Sequence, residues 1–65
     1  MQIKVNDTAK DIPQNTTIEK LLAQLAVRGP LAVELNCKVC PKALHSSTLL
    51  KEGDVLEIVT IVGGG

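Results

Sequence analysis

The chain has 65 residues, seven Lys and Arg against seven Asp and Glu, and no aromatic residue. A single domain of this length buries only about 60% of the surface its unfolded chain exposes, which leaves little room for an enclosed substrate cavity and favours a binding or carrier role over an enzyme. There is no basic block to follow a phosphate backbone and no ring to stack on bases, so nucleic-acid binding finds no support, and no segment is apolar for long enough to span a membrane.

The core must therefore be built from Leu, Ile and Val. Met1-Gln2-Ile3-Lys4-Val5 alternates apolar and polar, the period of a half-buried strand. That alternation is not the apolar run of a signal peptide, so a cytoplasmic location with reduced thiols is expected. Asn6-Asp7 is a turn signal, and Thr8 to Ile12 can return as the second strand of a hairpin. Pro13 ends that strand because it has no amide proton for a ladder. Thr16 with Glu19 three residues on has the capping-box spacing of a helix start, and Thr17 is a second candidate for the cap. Ile18, Leu21, Leu22 and Leu25 then fall on one helical face. Arg28 suits the negative end of the helix dipole, Gly29 can close the helix in a left-handed conformation, and Pro30 cannot continue it.

Leu31 to Leu35 reads as a third strand, Asn36 begins a turn, and Lys38 to Cys40 is a short return strand ending at Pro41. Pro41 to Ser47 reads as irregular, with room for one helical turn. Glu52-Gly53-Asp54 is another turn, in which Asp54 shapes the bend. The last strand runs from Val55 to about Val62. On it, Leu56 and Ile58 share one face while Glu57, Val59 and Ile61 share the other. A glutamate seldom points into a core, so Val59 and Ile61 are expected to be exposed and are candidates for a partner-docking surface.

This order of elements requires a helix and a sheet to bury their apolar faces against each other in two layers. The β-grasp fold meets that requirement, with its first and last strands side by side in the centre. The expectation is an α+β domain over 1–62, a mixed sheet of four to five strands on one main helix, followed by a flexible glycine tail over 63–65.

Gly63, Gly64 and Gly65 lack Cβ atoms and span about 10 Å when extended. Such a tail can enter a narrow active site where any side chain would clash, and it presents a terminal carboxylate.

Three stretches, Met1-Gln2-Ile3-Lys4-Val5, Thr17-Ile18-Glu19-Lys20-Leu21-Leu22 and the terminal glycines, resemble the ubiquitin-like superfamily. Leu31-Ala32-Val33-Glu34-Leu35-Asn36, Pro41 shortly after it, and Gly53 to Val59 leading into Val62-Gly63-Gly64-Gly65 bring the resemblance closest to the ThiS family of thiamine-biosynthesis sulfur carriers. The resemblance implies that a ThiF-type adenylating enzyme uses ATP to activate the carboxylate of Gly65. A sulfur donor, supplied indirectly by an enzyme such as a cysteine desulfurase, then converts it to a thiocarboxylate. Thiazole synthase, ThiG, receives that sulfur. The chain itself would bind no cofactor or metal and supply no catalytic residue. One departure stands out: ThiS-like chains often carry glycine after the turn asparagine, where this chain has Cys37, which leaves the turn type open.

Cys37 and Cys40 form a CxxC, but at a turn and short strand rather than at the helix start that lowers a thiol pKa in oxidoreductases. Only His45 is near enough in sequence to join them, short of the four ligands of a zinc site. Two incidental cysteines, one exposed at the turn and one partly buried, are the expectation, with His45 on the surface. Two other readings stand beside the carrier of thiamine synthesis. One is a MoaD-like small subunit of molybdopterin synthase, which shares the fold and the Gly-Gly end. The other is a ubiquitin-like interaction module that binds through Val59 and Ile61 and does not need its last two glycines.

Overall fold

The computed structural model describes residues 1–27 and 29–61, so Arg28 and the tail from Val62 to Gly65 lie outside the described residues. The strands are β1 (Gln2–Val5), β2 (Thr8–Asp11), β3 (Leu31–Leu35), β4 (Lys38–Cys40) and β5 (Val55–Thr60), with one helix, α1 (Ile18–Gln24). They form a single five-stranded sheet in the order β2-β1-β5-β3-β4. β1 and β5 are parallel neighbours in the centre, and the other pairs are antiparallel. This is the ubiquitin-like β-grasp arrangement expected from the sequence. No helix among the described residues is long and apolar enough to cross a membrane.

Both hairpins turn through two residues with positive φ. Val5 pairs with Thr8 across Asn6 (φ 48°) and Asp7 (φ 67°), and Leu35 pairs with Lys38 across Asn36 (φ 51°) and Cys37 (φ 71°). These are type I′ turns, whose twist matches that of the flanking strands. The turn at Cys37 thus keeps the geometry that Asn-Gly would favour, with a residue that has to bear the left-handed conformation.

The start of α1 differs from the capping-box expectation. Thr17, not Thr16, is the cap: its hydroxyl accepts the Lys20 amide at 3.1 Å. Thr16 is buried, and its hydroxyl donates to the Pro13 carbonyl at 2.7 Å. Its own carbonyl accepts the Leu50 amide at 2.9 Å. Glu19 consequently falls one position short of the capping box, but it remains in the first turn, where a carboxylate favours the helix dipole. The two preceding free amides are taken by the loop before β5. Ile18 donates to the Thr48 carbonyl at 3.1 Å and Glu19 to the His45 carbonyl at 3.0 Å.

The end of α1 also differs. Ala26, not Gly29, takes the left-handed closing position at φ 56°. Ala26 donates to the Ala23 carbonyl and Val27 to the Leu22 carbonyl, both at 3.2 Å. This is the paired bonding of a Schellman motif. Gly29 (φ 86°) serves instead in the bend that leads into β3.

The core is Ile3, Ile12, Ile18, Leu21, Val33, Leu50 and Leu56, with Met1, Val5, Leu22, Leu25, Leu31, Leu35, Cys40 and Ile58 packed against it. The apolar face of α1 therefore meets the inner face of the sheet as its spacing predicts. Ile12 and Leu50 join from outside the regular elements. On the outer face, the β3–β5 register sets Glu34 directly opposite Glu57. Like charges so placed are destabilising.

Two stability predictions follow from these positions. Ala26→Gly removes a left-handed alanine, and the relief exceeds the entropy that glycine adds to the unfolded chain. The urea unfolding midpoint is expected to rise, corresponding to about 0.5–1 kcal/mol. Glu57→Gln is expected to stabilise the domain by about 0.2–1 kcal/mol, with the gain shrinking as salt is added. Thermal melts at low and high ionic strength check the second.

Candidate functional site

The site begins where β5 ends. Leu56 is fully buried against the helix and Ile58 is half-buried, whereas Val59 and Ile61 are 56% and 54% exposed. The face assignment made from Glu57 therefore holds in the structure. Ala32 lies opposite Val59, and Val39, 69% exposed, lies opposite Glu34 on the same outer face. The outer face is therefore mixed, with Glu34 and Glu57 in the row beside Val39 and with Ala32, Val59 and Ile61 forming its apolar end. Ile61 is held by its amide, which donates to the Pro30 carbonyl at 2.8 Å. Beside it lies a cleft of about 330 Å³, walled by Leu22, Val27, Pro30 and Leu31, with Lys42 and His45 also lining it. Gly63, Gly64 and Gly65, the expected working end, lie beyond the described residues.

The other polar candidates have structural roles. His45 is buried, 7% exposed, which corrects the expectation of a surface histidine. Its Nε2 is 3.0 Å from the Cys40 carbonyl, and its own carbonyl caps α1 through Glu19. The ring thus ties the end of β4 to the 3₁₀ helix Lys42–Leu44, and the backbone ties that helix to α1. Nothing in the local sequence signals this, because the partners come from separate elements. Asp54 does shape its turn: one carboxylate oxygen accepts the Lys51 amide at 2.8 Å. The other accepts the Asn36 side-chain amide at 3.0 Å, so the turn is fastened to the β3–β4 hairpin.

Cys37 is exposed in its turn, and Cys40 is partly buried with its sulfur 3.8 Å from the Thr48 hydroxyl. The register puts Cys37 beside the start of β5, since Leu35 pairs with Leu56 while Leu31 pairs with Thr60. The CxxC turn and the root of the tail are therefore at opposite ends of that strand. Among the described residues, no three His, Cys, Asp or Glu side chains come together to hold a metal ion.

A β-grasp domain with parallel first and last strands side by side in a five-stranded mixed sheet is a ubiquitin-like domain. The ThiS family model matches residues 2–65, and the chain belongs to that family, the small sulfur carriers of thiamine synthesis. The crystal structure of the thiamine biosynthesis protein ThiS from Geobacter metallireducens is 29% identical, covers both chains completely and superposes with a TM-score of 0.87. A solution structure of a thiamine biosynthesis protein from the same organism is 30% identical, with a TM-score of 0.81 over all of this chain and 88% of that one. A thiazole synthase of Paramagnetospirillum magneticum is 35% identical over 66 residues, which cover all of this chain but only 20% of that protein. An uncharacterized protein, ycf40, of Pyropia yezoensis is 36% identical over 93% of its length.

The type I′ turn generates a third prediction. Cys37→Gly relieves the strained second turn position and is expected to raise stability by about 0.5–1 kcal/mol. Chemical denaturation of the two proteins under reducing conditions checks it.

Proposed function

We propose that this chain carries sulfur for thiazole formation as a thiocarboxylate on Gly65. The observation that carries the reading is that the family match runs through residue 65, so the glycine end belongs to the matched pattern. The carboxylate of Gly65 is a poor electrophile. A ThiF-type adenylating enzyme would join it to AMP from ATP, releasing pyrophosphate, and sulfur from a donor, brought to the sulfide level by a thiol reductant, would then displace AMP. The resulting terminal thiocarboxylate is anionic and nucleophilic at neutral pH, as a thiolate is.

Thiazole synthase is the acceptor in this reading. A protein of that name contains a segment alike to this whole chain, which supports a working relation between the two. Val59 and Ile61 would dock the partner while Gly63 and Gly64 carry Gly65 into its active site. Holding the reactive group on a docked protein removes much of the entropic cost of bringing it to the acceptor. Under this proposal the chain is a co-substrate, not an enzyme; ATP is the activating partner's cofactor. A cytoplasmic setting, with reduced thiols and access to ATP and a cysteine desulfurase, fits it. The family match also favours thiamine synthesis over the molybdopterin pathway.

The test is an intact-mass measurement after incubation with a ThiF-type enzyme, ATP and a sulfur donor. One terminal oxygen is expected to be replaced by sulfur. An unchanged mass with a demonstrably active enzyme overturns the proposal. Deleting Gly64 and Gly65, or extending the chain past Gly65, should abolish loading and leave the fold intact. Cys37→Gly should load as the wild type does, because the sulfur rides on Gly65. A variant lacking Gly64 and Gly65 that retains full function would instead mark the chain as a non-covalent interaction module.

A further inference from the structure

Asn6 makes more bonds than its turn requires. Its positive φ is what a type I′ turn needs, and it carries the main chain away from the sheet after Val5. Yet Asn6 continues the parallel β1–β5 ladder past that point. The rungs from the β1 side run in steps of two along β5. Lys4 donates its amide to the Asp54 carbonyl at 2.9 Å, and Asn6 donates its own to the Leu56 carbonyl at 2.9 Å. The next rung is made by the Asn6 side chain. Its Oδ1 accepts the Ile58 amide at 2.7 Å, and its Nδ2 donates to the Ile58 carbonyl at 3.2 Å. A carboxamide offers the same donor and acceptor as a peptide unit, so one side chain replaces a residue of strand.

We infer that Asn6 is a positioning residue for the tail, a reading that rests on the carrier function proposed above. With this rung in place, β5 is held on both edges as far as Ile58. Beyond it the register to β3 continues alone, through Ala32 with Val59 and Leu31 with Thr60, and ends at the Ile61 bond to Pro30. Without the rung, two-sided support would stop at Leu56, two residues further from Gly65. The strand would then swing more freely about its β3 edge, and the carboxylate would spend less time aligned for attack on ATP. Val59 and Ile61 keep their β3-side attachments in either case, so docking is affected less than reaction.

Two substitutions separate this role from the turn preference. Asn6→Gly keeps a residue suited to positive φ and removes only the side-chain rung. Asp7→Gly changes the same turn and touches no bond to β5 among those described. Each full-length variant is compared with the wild type for amide exchange, for affinity to a ThiF-type enzyme without ATP, and for ATP-dependent pyrophosphate release. In Asn6→Gly the Ile58 amide is expected to exchange at least about tenfold faster while the Val33 amide is unchanged. Affinity should stay within about twofold, and kcat should fall about three- to tenfold, the factor for one or two net hydrogen bonds. Asp7→Gly should match the wild type in all three.

An unchanged Ile58 exchange rate, or wild-type kcat in Asn6→Gly, overturns the positioning role and leaves the carrier reading standing. Equal losses of kcat in both glycine variants overturn it too, because a general loosening of the turn would then account for them. If the wild type itself releases no pyrophosphate with an active enzyme, the carrier reading fails and the positioning role with it.

Discussion

Parallel strands cannot be joined by a tight turn, and β1 and β5 stand parallel at the centre of this sheet although they are the first and last strands of the chain. Everything between them is in effect the crossover connection. The β1–β2 hairpin reverses on one side, α1 crosses the inner face, and β3–β4 returns along the other edge of β5. Gly53 then brings the chain back beside its own beginning, donating its amide to the Gln2 carbonyl at 2.8 Å. The constraint has a direct consequence for function. The last strand is flanked by β1 at its start, through Val55 and Leu56, and by β3 along its length, so the segment that leads to the glycines leaves from the middle of the sheet while held on its β3 side.

A domain of this size without aromatic residues has little apolar volume to spend on holding long loops in place. The stretch from Pro41 to Asp54 is held by polar means instead. Its carbonyls at His45 and Thr48 take the first free amides of α1, its Leu50 amide goes to Thr16, and its Leu49 bridges Thr17. The helix start and the loop satisfy each other's backbone groups, so neither needs water or a separate cap at those points. Leu50 can then be buried as a core residue although it belongs to no strand or helix. His45 and Asp54 extend the same logic: both are buried polar residues whose side chains fasten one element to another.

The elements governed by periodicity were legible in the sequence. Alternation at Ile3 and Val5, the helical spacing of Ile18, Leu21, Leu22 and Leu25, and the facing of Leu56 against Val59 all depend on local geometry and on which side is wet. The choices that depend on distant partners were not legible. Thr16 and Thr17 offer the same hydroxyl, and the decision between them comes from Pro13 and Leu50, which engage Thr16 before the helix begins. Ala26 closes the helix against the ordinary preference for glycine, because the chain must turn at that point to deliver Leu31 to the sheet beside Thr60. His45 looked like a surface residue because its segment is polar and irregular, and only the fold shows that the Cys40 carbonyl lies within its reach. At the site itself, the exposure of Val59 and Ile61 could be read from a single glutamate. The support beneath them, from Asn6 on one side and Pro30 on the other, could not.

That support bears on how a chain with so few chemical groups would take part in the proposed group transfer. Under the proposed carrier role, Gly63, Gly64 and Gly65 would let the reacting group enter another protein's active site because they carry no side chains. Glycines alone would place it poorly, because their freedom makes any single arrangement entropically costly. The remedy is to start the glycines as close as possible to something fixed. β5 provides this by running as regular strand to Thr60 and being pinned once more at Ile61, one residue before Val62 and the three glycines. The exposed Val59 and Ile61 lie on that same last stretch, so a partner docked on them, as proposed, would also hold the strand from which the tail starts. Under that proposal, docking and delivery would be coupled through a few residues of one strand, and the catalytic groups would reside in the partner.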